Sequence, residues 1–120
     1  MRKNYDLPAY LFGNNEYLVS HWAEPYPVLG AWGSARETIP LVPKYHYIFH
    51  FSNGYGASVI KGPGTYGYEE DLWELGVLSE QDGEWHLCYD TEITDDVEGY
   101  LTVDDVKKLL DEIKGLEAKS

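Results

Sequence analysis

Residues 45–60 read YHYIFHFSNGYGASVI. Two runs rich in aromatic and β-branched residues flank Asn53-Gly54, and such runs suit a pleated, half-buried surface better than a helix. Asn-Gly is the preferred pair of a two-residue type I′ turn, which needs positive φ at both positions and twists with the strands it joins. The pair predicts an antiparallel hairpin with Ser52 opposite Tyr55, His50 opposite Ala57 and Phe49 opposite Ser58. In that register one face carries Tyr45, Tyr47, Phe49, Phe51 and Ile60, and the other carries His46, Ile48, His50, Ala57 and Val59. Phe51 falls opposite Gly56, where a ring can cover bare backbone. With apolar residues on both faces, the hairpin is expected at the centre of a sheet.

Further strands follow through short connections. GPGTYGYEED, residues 62–71, reads as a glycine-rich loop. LWELGVLS, residues 72–79, predicts a third strand with Trp73, Leu75 and Val77 on one face. Asp82-Gly83 marks a turn. WHLCYD, residues 85–90, predicts a fourth strand with Trp85, Leu87 and Tyr89 on one face. Short links favour an antiparallel meander.

The stretch TDDVEGYLTVDD, residues 94–105, can be aligned to a calcium loop with Gly99 at its sixth position. Thr94 then stands where a carboxylate is needed, Asp105 replaces the bidentate Glu, and a strand precedes the loop in place of a helix, so tight calcium binding is not expected. A helix start fits better. Thr102 is a good N-cap, with Asp105 three residues on as the acid of a capping box. Asp104 and Asp105 lie in the first turn, where the dipole favours negative charge. Val103, Val106, Leu109, Leu110, Ile113 and Leu116 form one apolar stripe. The pattern predicts a C-terminal helix over about 103–115. The acids Asp95, Asp96 and Glu98 have no part in that cap.

Residues 1–44 carry a weaker pattern. A short helix is expected around Glu16–Trp22, and the proline- and glycine-rich stretch after it reads as irregular. The expected architecture is therefore α+β: one domain over residues 1–120, with a roughly four-stranded antiparallel sheet and C-terminal helix in 45–120 and an irregular N-terminal arm in 1–44.

Charge narrows the function classes. Residues 1–61 hold five basic and four acidic residues, net +1, whereas residues 62–120 hold four basic and 17 acidic residues, net −13. No Lys or Arg occurs between Lys61 and Lys107. Direct binding to nucleic acid or an anionic membrane is disfavoured, because those surfaces attract cations. The chain has no apolar run of transmembrane length and no apolar leader at its start, and its single cysteine, Cys88, fits a reducing cytosol.

Catalytic constellations are weak. His46 and His50 share a strand face but lie about 13 Å apart at ~3.3 Å per residue, too far for one metal. His86 could join one of them from a neighbouring strand. Cys88 sits in an apparent strand with no oxyanion-hole signature. No catalytic residue, metal ligand or cofactor site is expected. What remains is an acidic, aromatic-bearing surface: Glu69, Glu70, Asp71, Glu74, Asp82, Glu84, Asp95, Asp96 and Glu98, with Tyr66 and Tyr68 as candidate anchors beside Trp73. Carboxylates on a rigid scaffold can stand in for the phosphates of nucleic acid and attract a basic channel.

With FSNGYGASVI, DLWELGVL and CYDTEITDDVEGYLT before a short helix, the chain resembles small proteins encoded in bacteriophage and prophage genomes. The resemblance runs from about Tyr45 to Leu116 and brings no catalytic motif. Small acidic phage proteins often inhibit host defence, anti-CRISPR and anti-restriction proteins among them. The resemblance thus implies a non-enzymatic inhibitor in the bacterial cytosol, whose partner is a host protein with a basic, nucleic-acid-binding surface. The alternative is a small phage accessory enzyme or metal protein using His46, His50 and His86 with nearby carboxylates.

Overall fold

The structure, a computed structural model, describes residues 11–13, 15–27, 41–88 and 97–118. Among these, a 3-10 turn, Asn15–Tyr17, leads into six strands and one helix: β1 Leu18–Pro27, β2 Leu41–His50, β3 Tyr55–Lys61, β4 Trp73–Gln81, β5 Glu84–Leu87, β6 Glu98–Leu101 and α1 Val103–Lys114. All pairings are antiparallel, in the order β1-β2-β3-β4-β5, and β6 pairs with β4 as well. β5 meets β4 at residues 78–81 and β6 meets it at 73–75, so the two short strands divide one edge of β4 between them. The fold is α+β, with more strands than the expected four.

The N-terminal half departs most from expectation. Where a helix was expected at Glu16–Trp22, β1 pairs with β2 along its length, and Leu41–Lys44, assigned to the irregular arm, extend β2. Val19 and Trp22 suit a strand once β2 supplies a pairing partner, and Pro25 and Pro27 follow without an amide donor. β1 ends the strand order among the described residues, where a missing N–H does least harm to the ladder.

The central hairpin forms with a different turn. The Phe51 N–H donates to the Tyr55 carbonyl (2.8 Å), and His50 pairs with Gly56, which leaves Ser52, Asn53 and Gly54 as a three-residue loop. Gly54 has φ +88°, whereas Asn53 keeps negative φ. Glycine in the left-handed region closing a three-residue loop is a common alternative to type I′. One extra loop residue slips the register by one and exchanges the faces of the second strand, as the two-residue period of a strand requires. Ala57 and Val59 join Tyr47 and Phe49 in the core, and Ile60 moves opposite His46 on the outer face. Phe51 does not cover Gly56; the Trp85 ring does, 3.2 Å from where a Cβ would stand. The type I′ geometry occurs instead at Asp82-Gly83, with φ +55° and +83°, which joins β4 to β5 through Gln81 and Glu84.

The buried core comprises Phe12, Tyr47, Phe49, Phe51, Ala57, Val59, Trp73, Leu75, Val77, Val106, Leu110 and Ile113. Phe12 lies at its centre, edge-on to Tyr47 at 4.8 Å and to Trp73 at 4.9 Å. Such geometry sets a positive ring edge against a negative ring face. Burial pushes the Tyr47 hydroxyl up to about 12, with Tyr45 adding to the effect. Helix α1 lays Val106, Leu110 and Ile113 on this face. Its start is as expected: the Thr102 side chain accepts from the Asp105 N–H (3.1 Å), and the Asp105 carboxylate accepts from the Thr102 N–H (3.0 Å).

Candidate interaction face

The β3–β4 loop positions most of the candidate residues. Thr65 is buried and ties the loop entry, its hydroxyl donating to the Gly62 carbonyl (2.7 Å) and accepting from the Gly62 N–H (3.1 Å). Gly64 and Gly67 have φ near +90°, a conformation that side chains rarely adopt. A 3-10 turn, Tyr68–Glu70, follows, and Asp71 ends it at φ +62°. The Glu74 carboxylate reaches back from β4 to accept the Tyr66 N–H (2.9 Å).

This loop leans on β6. A Cβ at Gly67 would stand 3.0 Å from the Tyr100 Cα, and one at Gly99 would stand 2.5 Å from the Tyr66 Cβ. Two glycines therefore permit the approach. Tyr66 and Tyr100 become backbone neighbours and are the two most exposed large hydrophobic side chains among the described residues, at 62% and 59%. Tyr68 is half-buried and Trp73 belongs to the core, so Tyr66 alone of the expected rings is fully presented. Tyr100 was not singled out from sequence. Its signal is backbone geometry, φ +58° at a bulky residue, which composition does not reveal.

Glu69, Glu70 and Asp71 lie in the loop with Tyr66 and Tyr68, and Glu74 follows at the start of β4, whereas Glu98, opposite Leu75, lines a groove along α1 with Leu101, Asp105, Lys108 and Leu109. Asp71 is offset by Lys61 (2.8 Å), whose Nζ lies 4.8 Å from the Trp73 ring centre. No cation lies within ion-pair distance of Glu69, Glu70 or Glu98 among the described residues. Asp82, in the β4–β5 turn, and Glu84, the first residue of β5, sit at the other end of the nine-residue β4. That is roughly 26 Å along the strand. Asp95 and Asp96 lie outside the described residues, as do Thr94 and Tyr89.

The histidines are spread apart. His46 stacks on Trp22 (4.4 Å between centroids), with Nε2 3.4 Å from Glu24. His50 stacks on Trp85 at 3.7 Å. Burial lowers the His50 pKa, and the Glu80 charge works in the opposite direction. His86 pairs with Ser79, on the opposite sheet face from His46 and His50, and its Nε2 lies 3.5 Å from Glu84. Among the described residues no three His, Cys, Asp or Glu side chains converge as a metal site would require. Cys88 is half-buried against the core, and its N–H donates to Val77. No helix is long and apolar enough to cross a membrane among the described residues.

No family model matches the chain, nor does any curated protein or solved structure.

Proposed function

We propose that this chain is a non-enzymatic, phage-type inhibitor that occupies a basic, nucleic-acid-binding surface of a host defence complex. The observation that carries this reading is uncompensated charge: among the described residues Glu69, Glu70 and Glu98 have no cation within ion-pair distance, in a stretch holding no Lys or Arg from residue 62 to 106. The loop that bears Glu69 and Glu70 is fastened by Thr65, by Glu74 and by close glycine contacts with β6, so the charges are presented on a fixed scaffold. Such a surface favours encounter with a Lys- or Arg-lined channel and repels acidic surfaces. The resemblance to phage and prophage proteins supports the same class of partner.

Capture of host proteins on the immobilised chain, at low and then high salt, tests this reading. The expected partner is retained only at low salt and released by added duplex nucleic acid, because both compete for one basic surface. A partner that binds nucleic acid and this chain at the same time would rule out mimicry.

A further inference from the structure

We propose that Asn53-Gly54 is a spontaneous deamidation site held in check by α1, and that its conversion to aspartate or isoaspartate releases the end of the helix. The inference stands apart from the charged-face reading. The reaction needs only the dipeptide and water. The Gly54 backbone nitrogen gives up its proton and attacks the Asn53 side-chain carbonyl carbon. A five-membered ring closes as the Cγ–Nδ2 bond breaks, and ammonia leaves with that proton. Water then opens the ring at either carbonyl, its hydroxyl going to carbon and its proton to nitrogen. One opening gives aspartate, and the other gives isoaspartate, with an extra methylene in the main chain. Glycine favours the attack, because no side chain shields its nitrogen.

The fold opposes ring closure. Nδ2, the leaving nitrogen, donates to the carbonyls of Ile113 (2.9 Å), Lys114 (3.2 Å) and Leu116 (3.0 Å), and the Gly54 N–H donates to the Phe51 carbonyl (3.4 Å). Closing the ring forfeits all four bonds. Water is at hand, since Asn53 and Gly54 line a surface cleft with Glu80 and Asp82. The step therefore waits on the end of α1 lifting from the hairpin. Once formed, the product cannot restore the contact. A carboxylate accepts hydrogen bonds and has none to donate. It would meet three carbonyl oxygens at the negative end of the helix dipole, beside the Glu80 and Asp82 carboxylates of the cleft. The cation of this last helical turn, Lys114, lies 3.8 Å from Asp111 and 5.6 Å from the Tyr17 ring centre.

The full chain and a free peptide of residues 51–58 are incubated at mildly alkaline pH, and conversion at residue 53 is followed by mass mapping. The folded chain is expected to convert at least about tenfold more slowly than the peptide, a factor of ten being roughly one net hydrogen bond. Leu116 packs against the core at the helix end, so Leu116→Ala should speed conversion in the chain. Amide hydrogen exchange then reads the consequence. In the converted chain residues 113–116 exchange faster, whereas residues 73–81 of β4 keep their protection. Asn53→Asp supplies one product directly and should reproduce the faster exchange at neutral pH. Equal conversion of chain and peptide, or a Leu116→Ala chain that converts no faster than the wild type, overturns the restraint by α1. Unchanged exchange at 113–116 in both the converted chain and Asn53→Asp overturns the release of the helix end. Any of these results sinks the proposal, and none of them bears on the charged face.

Discussion

The Asn53 side chain donates to the carbonyls of Ile113, Lys114 and Leu116 at 2.9 to 3.2 Å, and its own carbonyl accepts from the Tyr55 N–H (3.0 Å). It thus binds the central hairpin to the end of α1, where unpaired carbonyls need donors. From sequence, Asn53 reads as a residue chosen for positive φ. The structure uses its amide instead, a role invisible until the helix end is placed beside the hairpin. Asn53→Ala is expected to cost about 1–3 kcal/mol, the range for stranding partly buried partners, read by urea denaturation. Tyr100→Gly acts in the other direction. Left-handed backbone costs a side-chain-bearing residue roughly 1–2 kcal/mol, part of which glycine returns as unfolded-state entropy. The variant is expected to gain up to about 1 kcal/mol, and a loss of that size would show that the ring packs on the fold. For His50 the sign follows from its lowered pKa. The unfolded chain takes up the proton more readily, so stability falls as pH drops through the window below 6.5. An NMR titration should place the His50 midpoint below that value, and His50→Gln should flatten the stability profile there.

At the scale of elements, the helix was the most legible part. Its cap, its dipole acids and its apolar stripe are all local, and Thr102, Asp105, Val106, Leu110 and Ile113 serve as their spacing implies. Thr102→Ala should cost about 1 kcal/mol, seen as a lower urea midpoint. The hairpin was legible as a hairpin but not in its register, because loops of two and three residues share the Asn-Gly signal and differ by one in pairing. β1 was not legible. Its sequence LVSHWAEPYP alternates poorly, and its strand character depends on β2, whose pairing residues lie 14 positions away at Pro27–Leu41 and 31 at Leu18–Phe49. The loop–β6 contact is likewise non-local, built from Gly67 and Gly99 rather than from any motif. Gly99→Ala drives a methyl against Tyr66 and should cost ~1–3 kcal/mol by overpacking, detectable as a lower melting temperature.

Across the whole molecule, the sheet separates two chemistries. The helix-side face is a closed aromatic core, while the end of β4 near residues 66–74 and 98–100 carries rings and carboxylates outward. The candidate acids divide between the two ends of β4, so the binding face centres on Tyr66, Glu69 and Glu70, with Glu98 on its α1 side. Asp71 is a poor choice for testing it, because its carboxylate holds Lys61 in place. If exposed charge drives encounter, its effect falls mainly on the association rate and fades as the Debye length shrinks from ~10 Å at 0.1 M salt to ~3 Å at 1 M. The most direct test is the association rate constant of the captured partner with the wild-type chain and with the Glu69→Lys, Glu70→Lys, Glu98→Lys variant, by stopped flow at both salt concentrations. The variant is expected to associate at least about tenfold more slowly at 0.1 M and at nearly the wild-type rate at 1 M. Equal rates at 0.1 M, with the variant folded, would contradict the charged-face reading and leave these carboxylates as solubilising surface.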